Sequence, residues 1–419
     1  MNVAILGVGT VGSSVIKILQ KNKDLISARA GKEIIPVVGT VRDLNKDRGV
    51  NIPLTDDIKS VLNRDDIDIY VELMGGVEKP FSIVSEILKK KKPVVTANKA
   101  MLAYHRYALQ NLAKDTPFGF EASVAGGIPI IKALREGLSA NRVEKIVGIL
   151  NGTSNYILTD MMQNNSNFED VLKKAQSLGY AEADPTFDVD GIDAAHKLLI
   201  LSSIAYGVHG DPEDILVKGI RKISNEDIFF AKEFDYTIKL LGISKITDGK
   251  AELRVHPALI NKDKIIAEVD GVMNAVSINC DALNESMYYG PGAGGDATAS
   301  AVIADLIDIA KGNKNPMLGY AQNFKKMELI EQKNIQTKYY LRVKVEDRTG
   351  VLASITNVMS QNNISIDSFL QKPRNKGEKH TTLYFTTHLS LEANIKRVMG
   401  ILENFEFVLN RPFMIRIEE

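Results

Sequence analysis

The chain opens on the apolar run VAIL, passes through GVGTVG and continues as SSVIKILQK, where Val11, Val15, Ile18 and Leu19 fall at helical spacing. Short apolar runs recur at IIPVVGTV (34–41), IDIYVEL (67–73), PVVTA (93–97) and FGFEASV (118–124), with helical stretches between several of them. Strands alternating with helices predict a doubly wound α/β sheet. From about residue 130 the texture changes. IPIIKALREGL reads as a helix, RVEKIVGIL as a strand, and NGTSNYILTDMM as a helix opened by small polar residues. SNFEDVLKKAQSLG is a helix that Gly179 stops, and DAAHKLLILSSIAYG is a largely buried one. KAELRVHPALI and DGVMNAVSI read as strands, and YYGPGAGGDATASAVIADLIDIAK as a glycine-rich loop running into an apolar helix.

Residues 311–337, rich in lysine and asparagine, read as a connector. Beyond them YYLRVKVED alternates apolar and charged positions, as a strand with one buried face does. After the RTG turn come VLASITNVMSQ as an amphipathic helix, ISIDSFL and TTLYFTTHL as strands, LEANIKRVMGILE as a helix and FVLNRPFMIRI as a last strand. The order βαββαβ in about 80 residues is that of a ferredoxin-like unit. The expected organisation is a doubly wound α/β unit over 1–130, an α+β unit over 131–310, the connector, and the ferredoxin-like unit over 338–419.

Composition narrows the function. The 419 residues carry 52 basic and 52 acidic side chains, so no net charge points to nucleic acid or an anionic membrane as partner. No apolar run approaches the roughly 20 residues of a membrane span, and MNVAIL has no charged leader region. A lone cysteine, Cys280, excludes an internal disulfide framework and reads as a small core residue. A cytoplasmic protein is the expectation.

GVGTVG between a strand and a helix is the dinucleotide-binding pattern of a Rossmann-type sheet. Gly7 permits the tight turn, Gly9 lets backbone approach a pyrophosphate, and Gly12 allows close helix–strand packing. The helix N-terminus offers its N–H groups to the phosphates. The second strand ends in Arg42-Asp43, with Lys46 beyond it. An acid there favours NAD and an arginine favours NADP; Arg42 and Lys46 together tilt the reading to NADP.

The stretch AEADPTFDVDGIDAAHK (181–197) holds five carboxylates, one histidine and one lysine. A calcium loop with Gly191 as its turn glycine would put Lys197 where a bidentate glutamate is needed, and no HExxH or second cysteine offers a zinc site. A surface loop accounts for the polarity, and Asp193 and Lys197, four apart on one helix face, could be an ordinary ion pair. A substrate site uses more of the features. Glu182, Asp188 and Asp193 could hold an ammonium group, and Lys197 could protonate an oxygen that becomes an alkoxide when hydride adds to a carbonyl. An ordinary lysine, with a pKa of about 10.4, needs burial or a second cation to exchange protons nearer neutrality; an adjacent carboxylate alone works the other way. Lys99, in TANKA after a strand end, is a second candidate.

Taken in order, GVGTVG, VVTANKA, FEASVAGGIPII, ILNGTSNYIL, LGYAEADPTFDVDGIDAAHKL and GPGAGGDATASAVIADL resemble homoserine dehydrogenase over nearly the whole chain. The C-terminal unit, with DRTGVLA at its first turn, resembles an ACT domain. The resemblance implies NAD(P)H-dependent interconversion of L-aspartate 4-semialdehyde and L-homoserine, feeding threonine and methionine synthesis. It implies that Lys197 is the proton donor and that Lys99 contacts cofactor and substrate. Glu182, Asp188 and Asp193 match the substrate-binding acids. Thr10, Val11, Arg42, Lys99 and Gly294 fall where the cofactor is held. A monovalent-cation site, usually sodium, matches Glu121 with the carbonyls of Val124, Gly126 and Ile128. An amino-acid effector, threonine, is expected near Asp347, Gly350, Val351 and Leu352, and removal of the unit is expected to spare activity while abolishing inhibition. Exposed sheet edges in such units commonly pair with a second copy, so a homodimer or homotetramer is expected. Two rival readings are aspartate-semialdehyde dehydrogenase, whose thioester chemistry would need Cys280, and a non-enzymatic dinucleotide and amino-acid sensor, for which a proton donor has no use.

Overall fold

The computed structural model describes residues 1–322, 326–371 and 379–419. Its first sheet holds β1 (Asn2–Leu6), β2 (Ile35–Thr40), β3 (Leu54–Thr55), β4 (Ile69–Glu72), β5 (Val94–Thr96) and β6 (Phe118–Gly119). All pair in parallel, in the order β3-β2-β1-β4-β5-β6. Alternation along the strands divides them between two cores. Val3, Ile5, Val71 and Val95 join one cluster, and Ala4, Leu6, Tyr70 and Val94 join another. Both faces are therefore covered, as a parallel sheet requires. The first cluster is closed by Val15, Ile16 and Leu19 of the helix Thr10–Lys21 and by Val302, Ile303 and Leu306 of the helix Gly295–Ala310. A helix from late in the chain thus packs beside the first helix. Strand order reverses between β1 and β4, and the crevice beyond their C-terminal ends is where ligands bind in such sheets.

The second sheet has eleven strands. The middle of the chain supplies β7 (Val143–Ile149), β8 (Leu216–Val217), β9 (Tyr236–Thr247), β10 (Lys250–Asn261), β11 (Met273–Cys280) and β12 (Asn284–Pro291). The remainder are β13 (Gln336–Glu346), β14 (Ile366–Gln371), β15 (His380–Thr387), β16 (Ser390–Leu391) and β17 (Phe413–Glu418). The path runs β12-β11-β7-β9-β10-β17-β13-β15-β14, with β8 beside β10 and β16 beside β13. With the helices Val351–Gln361 and Glu392–Leu402, the C-terminal strands have the expected βαββαβ order. The helices cover one face through Leu341, Val343, Ile355, Ile395 and Val398. On the other face Tyr340 donates to Asp227 (2.8 Å) and Arg342 bonds Asp227 and Glu226 (each 2.8 Å) on the helix Asn225–Glu233.

The C-terminal unit is not a separate bead. β17 pairs in parallel with β10 from Ala258–Arg416 to Ile260–Glu418, so one sheet runs through both. Buried charges line this seam. Arg254, 1% exposed, donates to Glu418 (2.8 Å) and lies 2.8 Å from Glu252, while Lys145 pairs with Glu418 at 2.6 Å. Arg416 and Tyr339 (2.7 Å) both bind Glu392.

Three features differ from the sequence expectation. FGFEASV pairs as a strand only at Phe118–Gly119; Glu121–Ser123 turn into a 3-10 helix whose first N–H is taken by Asp305 (2.8 Å). β9, twelve residues long, lies between β7 and β10 with an almost continuous buried stretch, so the alternation that marks a half-exposed strand is missing. β12 begins on the polar residues Asn284 and Glu285 and is held by its ladder to β11 rather than by an apolar face.

Candidate active site

The ends of β4 and β5 are tied together by one buried carboxylate. Glu72 accepts the Met74 N–H (2.7 Å) and the Thr96 hydroxyl (2.6 Å). Burial raises its pKa against those two bonds. Thr96 Oγ1 in turn accepts the Asn98 N–H (3.0 Å), and Asn98 caps the helix Lys99–Leu112 by accepting from the Met101 N–H (3.0 Å). Lys99 therefore leaves the first turn of a fixed helix, at the sheet's C-terminal edge.

The opposite wall comes from the second sheet. After β7, Asn151 caps the helix Gly152–Asn164 through the Ser154 N–H (2.8 Å). Its amide then donates to Asp188 Oδ1 (2.7 Å) and Asp193 Oδ2 (2.9 Å). Asp193 and Lys197 lie one turn apart on the buried helix Ile192–Tyr206. Lys197 Nζ donates to Asp193 Oδ2 and to the Leu150 carbonyl, each at 2.7 Å. Lys99 pairs with the other oxygen, Asp193 Oδ1. Two amines far apart in sequence thus meet on the two oxygens of one carboxylate.

Exposure separates the two lysines. The Lys197 side chain is 10% exposed and that of Lys99 35%. Burial lowers the Lys197 pKa; Asp193 opposes this and the Lys99 charge adds to it. At Lys99 burial also disfavours the charge, but Asp193 outweighs it and the pKa is raised. Asp193 is fully buried, yet the two lysines hold its carboxyl well below the usual carboxylate range. Burial raises Asp188, against its bond from Asn151.

Glu182 is exposed and makes no ion pair with either lysine, though its charge favours the Lys99 ammonium. His196 is buried between the ring edges of Tyr104 and Phe187 (centroids 5.6 and 5.3 Å), as a packing residue. Cys280 is buried and free, and burial pushes its thiol pKa up, the reverse of what a nucleophile needs.

The dinucleotide motif has the geometry its glycines call for. Gly7 has φ +105, and a Cβ at Gly12 would stand 2.5 Å from the Gly7 carbonyl oxygen. Gly9 faces open space and precedes the helix bearing Thr10 and Val11. A cavity of about 230 Å³ follows, lined by Gly7, Gly9, Thr40, Arg42, Arg48 and Lys79 among others. Asp43 does not line it; its carboxylate accepts the Asn45 N–H (2.9 Å). Gly294, at φ +119, caps the helix Gly295–Ala310, and Gly295 packs against Thr10 and Ser14. The GPGAGG loop therefore reaches over the first helix towards the same crevice.

Glu121 accepts the N–H groups of Ile131 (2.8 Å) and Lys132 (2.9 Å). Burial, with Asp305 beside it, pushes its pKa up to about 7. Val124, Gly126 and Ile128 follow in a buried bend, where the Ile128 carbonyl accepts the Ile130 N–H (2.8 Å). In the C-terminal unit Asp347 leads out of β13, Gly350 has φ +90 at the start of its helix, Val351 is buried and Leu352 is 38% exposed.

Sequence reading missed Asn151, the Leu150 carbonyl, Glu72 and Arg48. An asparagine at a strand-to-helix junction is a cap signal and could have singled out Asn151. A carbonyl ligand leaves no mark in side-chain identity.

Comparison with known proteins identifies the family. The family model for homoserine dehydrogenase matches residues 129–307, that for the homoserine dehydrogenase NAD binding domain matches 7–120, and that for the ACT domain matches 339–407. The homoserine dehydrogenase of Helicobacter pylori is 51% identical, covering 100% of this chain and 99% of its own; that of Pseudomonas aeruginosa is 41% identical over 100% and 99%. A crystal structure of a Thiobacillus denitrificans homoserine dehydrogenase superposes with a TM-score of 0.95 at 43% identity, covering 100% of this chain and 98% of that one. A hyperthermophilic archaeal homoserine dehydrogenase, solved in complex with NADPH, superposes at 0.62 and 28% identity over 73% of this chain and 96% of its own. The chain belongs to the homoserine dehydrogenase family, with an NAD-binding domain at its head and an ACT domain behind the catalytic region.

Proposed function

We propose that the protein interconverts L-aspartate 4-semialdehyde and L-homoserine with a nicotinamide cofactor, and that Lys197 carries the proton. The observation that bears most weight is the convergence of Lys197 and Lys99 on Asp193 at the crevice edge. The bound nicotinamide supplies or accepts the hydride. An ammonium has three N–H donors; Lys197 commits two, to Asp193 and Leu150, and the third serves the substrate oxygen. Its lowered pKa makes it a better acid towards the alkoxide formed on reduction and a readier base in the reverse direction. Lys99 steadies that oxygen and the cofactor edge. Asp193, both oxygens engaged by the lysines, acts by aiming them. Recognition of the substrate ammonium falls to Asp188, whose second oxygen is spare of Asn151, and to Glu182.

The cofactor reading is NADP, held by Gly7, Gly9, Thr10, Val11, Gly12, Arg42, Lys99 and Gly294. Arg42 in the cavity and Asp43 turned to its own loop support it. A monovalent cation such as sodium at Glu121, Val124, Gly126 and Ile128 fits the local charge. Glu121 and Asp305 are both buried and both raised in pKa, and Lys132 is shared between Asp305 and Asp308. Threonine is the proposed effector at Asp347–Leu352. Among the described residues β12 and β14 end the sheet, and such edges suit pairing with a second copy in a homodimer or homotetramer. The working division is 1–130 with the Gly295–Ala310 helix, 131–310, a connector and 338–419, in the cytoplasm; no helix among the described residues is long and apolar enough to cross a membrane.

A steady-state assay with aspartate semialdehyde tests the reading. Lys197→Ala should lose about 10²- to 10⁴-fold in turnover with its circular dichroism unchanged. Near-normal turnover would refute the assignment.

A further inference from the structure

We infer that Arg48 is a second guanidinium clamp, with Arg42, on the 2′-phosphate of NADP; this rests on the NADP reading above. Both arginines line the same 230 Å³ space, beside the C-terminal end of β2. Arg48 Nε is buried and has no hydrogen-bond partner among the described residues. A buried guanidinium N–H left unpaired is costly. No protein acceptor thus claims Nε, and the guanidinium at the cavity wall is left to a ligand; its planar fork of donors matches phosphate oxygens two at a time.

The two acids of the same loop are engaged by its backbone. Asp47 accepts the Gly49 N–H (2.8 Å) and Asp43 accepts the Asn45 N–H (2.9 Å), each closing a small turn of the loop itself. Neither lines the cavity. The loop is also pinned at both ends, since Val8 donates to the Thr40 carbonyl (2.8 Å), Gly39 to Pro53 (2.9 Å) and Val41 to Thr55 (2.9 Å). Val50 and Ile52 pack on the core under the first helix. Arg48 therefore leaves a loop already shaped before ligand arrives, and little ordering offsets its contact with an anion. A carboxylate is what a ribose 2′-hydroxyl would need, and the cavity lining contains none.

Arg48→Gln in the full chain tests the assignment, with Kd for NADPH and NADH read from cofactor fluorescence and 2′,5′-ADP and 5′-AMP titrated by calorimetry. Loss of a charge-assisted contact predicts a Kd for NADPH at least about 10-fold weaker, a matching loss for 2′,5′-ADP, and less than about twofold change for NADH and 5′-AMP. Arg48→Lys should recover part of the NADPH affinity, because charge returns without the fork. Equal weakening of NADPH and NADH would assign Arg48 to adenine or to folding and overturn the proposal, as would an unchanged NADPH affinity. If the unaltered protein binds NADH as tightly as NADPH, the NADP reading falls and this inference with it. If it prefers NADPH and Arg48→Gln keeps the full preference, this inference alone falls.

Discussion

Lys197 is pulled both ways. Burial and the Lys99 charge lower its pKa, and Asp193, with Asp188 behind it, raises it. As the proposed proton donor, Lys197 must be an ammonium for reduction, so the rate should fall as pH rises through that pKa. The alkaline limb of the kcat–pH profile is expected below the roughly 10.4 of an ordinary lysine. Asp193→Asn removes the larger raising influence and leaves only Asp188, so the surviving activity should show its limb at still lower pH; a limb moving upward would rule out this charge balance. Asn151 holds Asp188 and Asp193 and also caps a helix. Asn151→Ala should therefore cost about 1 kcal/mol in denaturant unfolding and reduce turnover by more than that loss of stability explains. At this scale the i, i+4 spacing of Asp193 and Lys197 was readable in the sequence, because a helix face is a local property. That Asp193 also meets Lys99 was not, because the contact joins two sheets that the chain reaches some ninety residues apart.

Among the elements, the first turn and helix are the most constrained. A side chain at Gly12 would meet the Gly7 carbonyl at 2.5 Å, with backbone on both sides of the clash. Gly12→Val should push the helix Thr10–Lys21 off β1, lowering Tm by several degrees and abolishing cofactor binding; retention of cofactor affinity would reject this packing role. The bend that carries Glu121 has its own pH signature. Its folded pKa, about 7, lies above the ordinary value near 4.3, so the unfolded chain releases this proton first. Glu121 thus subtracts stability as pH rises from about 4.3 to about 7. A monovalent cation that pairs with its carboxylate should raise Tm more at pH 8 than at pH 5.5, measured with sodium chloride against a large organic cation at equal ionic strength. β13 announced itself by alternation, because Arg342, Lys344 and Glu346 line a half-buried face opposite Leu341, Val343 and Val345. β9 did not, because neighbours on both sides and both faces remove the contrast between buried and wet positions. β12 did not, because an edge strand is held by its backbone ladder.

At the scale of the whole molecule the decisive feature is the seam between β10 and β17. Glu418 is the counter-ion of Arg254 and Lys145, and Arg254 is almost wholly enclosed. Glu418→Leu should destabilise by about 3–5 kcal/mol, and Arg254→Met in the same chain should restore part of that, as read by chemical denaturation. An unaffected single variant would mean the buried charges do not matter there. The seam also changes how threonine control must be tested. Removing residues beyond about 330 would bare the β10 edge and take from Arg254 one of its two carboxylates, Glu418, leaving only Glu252, so lost activity in the truncated chain would say nothing about regulation; Asp347→Ala in the intact chain, assayed with and without threonine, separates the two. The ferredoxin-like order of the C-terminal unit was readable from its local patterns. Its fusion into the catalytic sheet was not, because which edge strand receives another is decided by long-range register. One consequence concerns engineering. A foreign sensing module grafted behind this enzyme would have to reproduce a matched edge and the charge that neutralises a buried guanidinium, so new effector specificity is better sought by altering a few side chains in the existing module than by exchanging it whole.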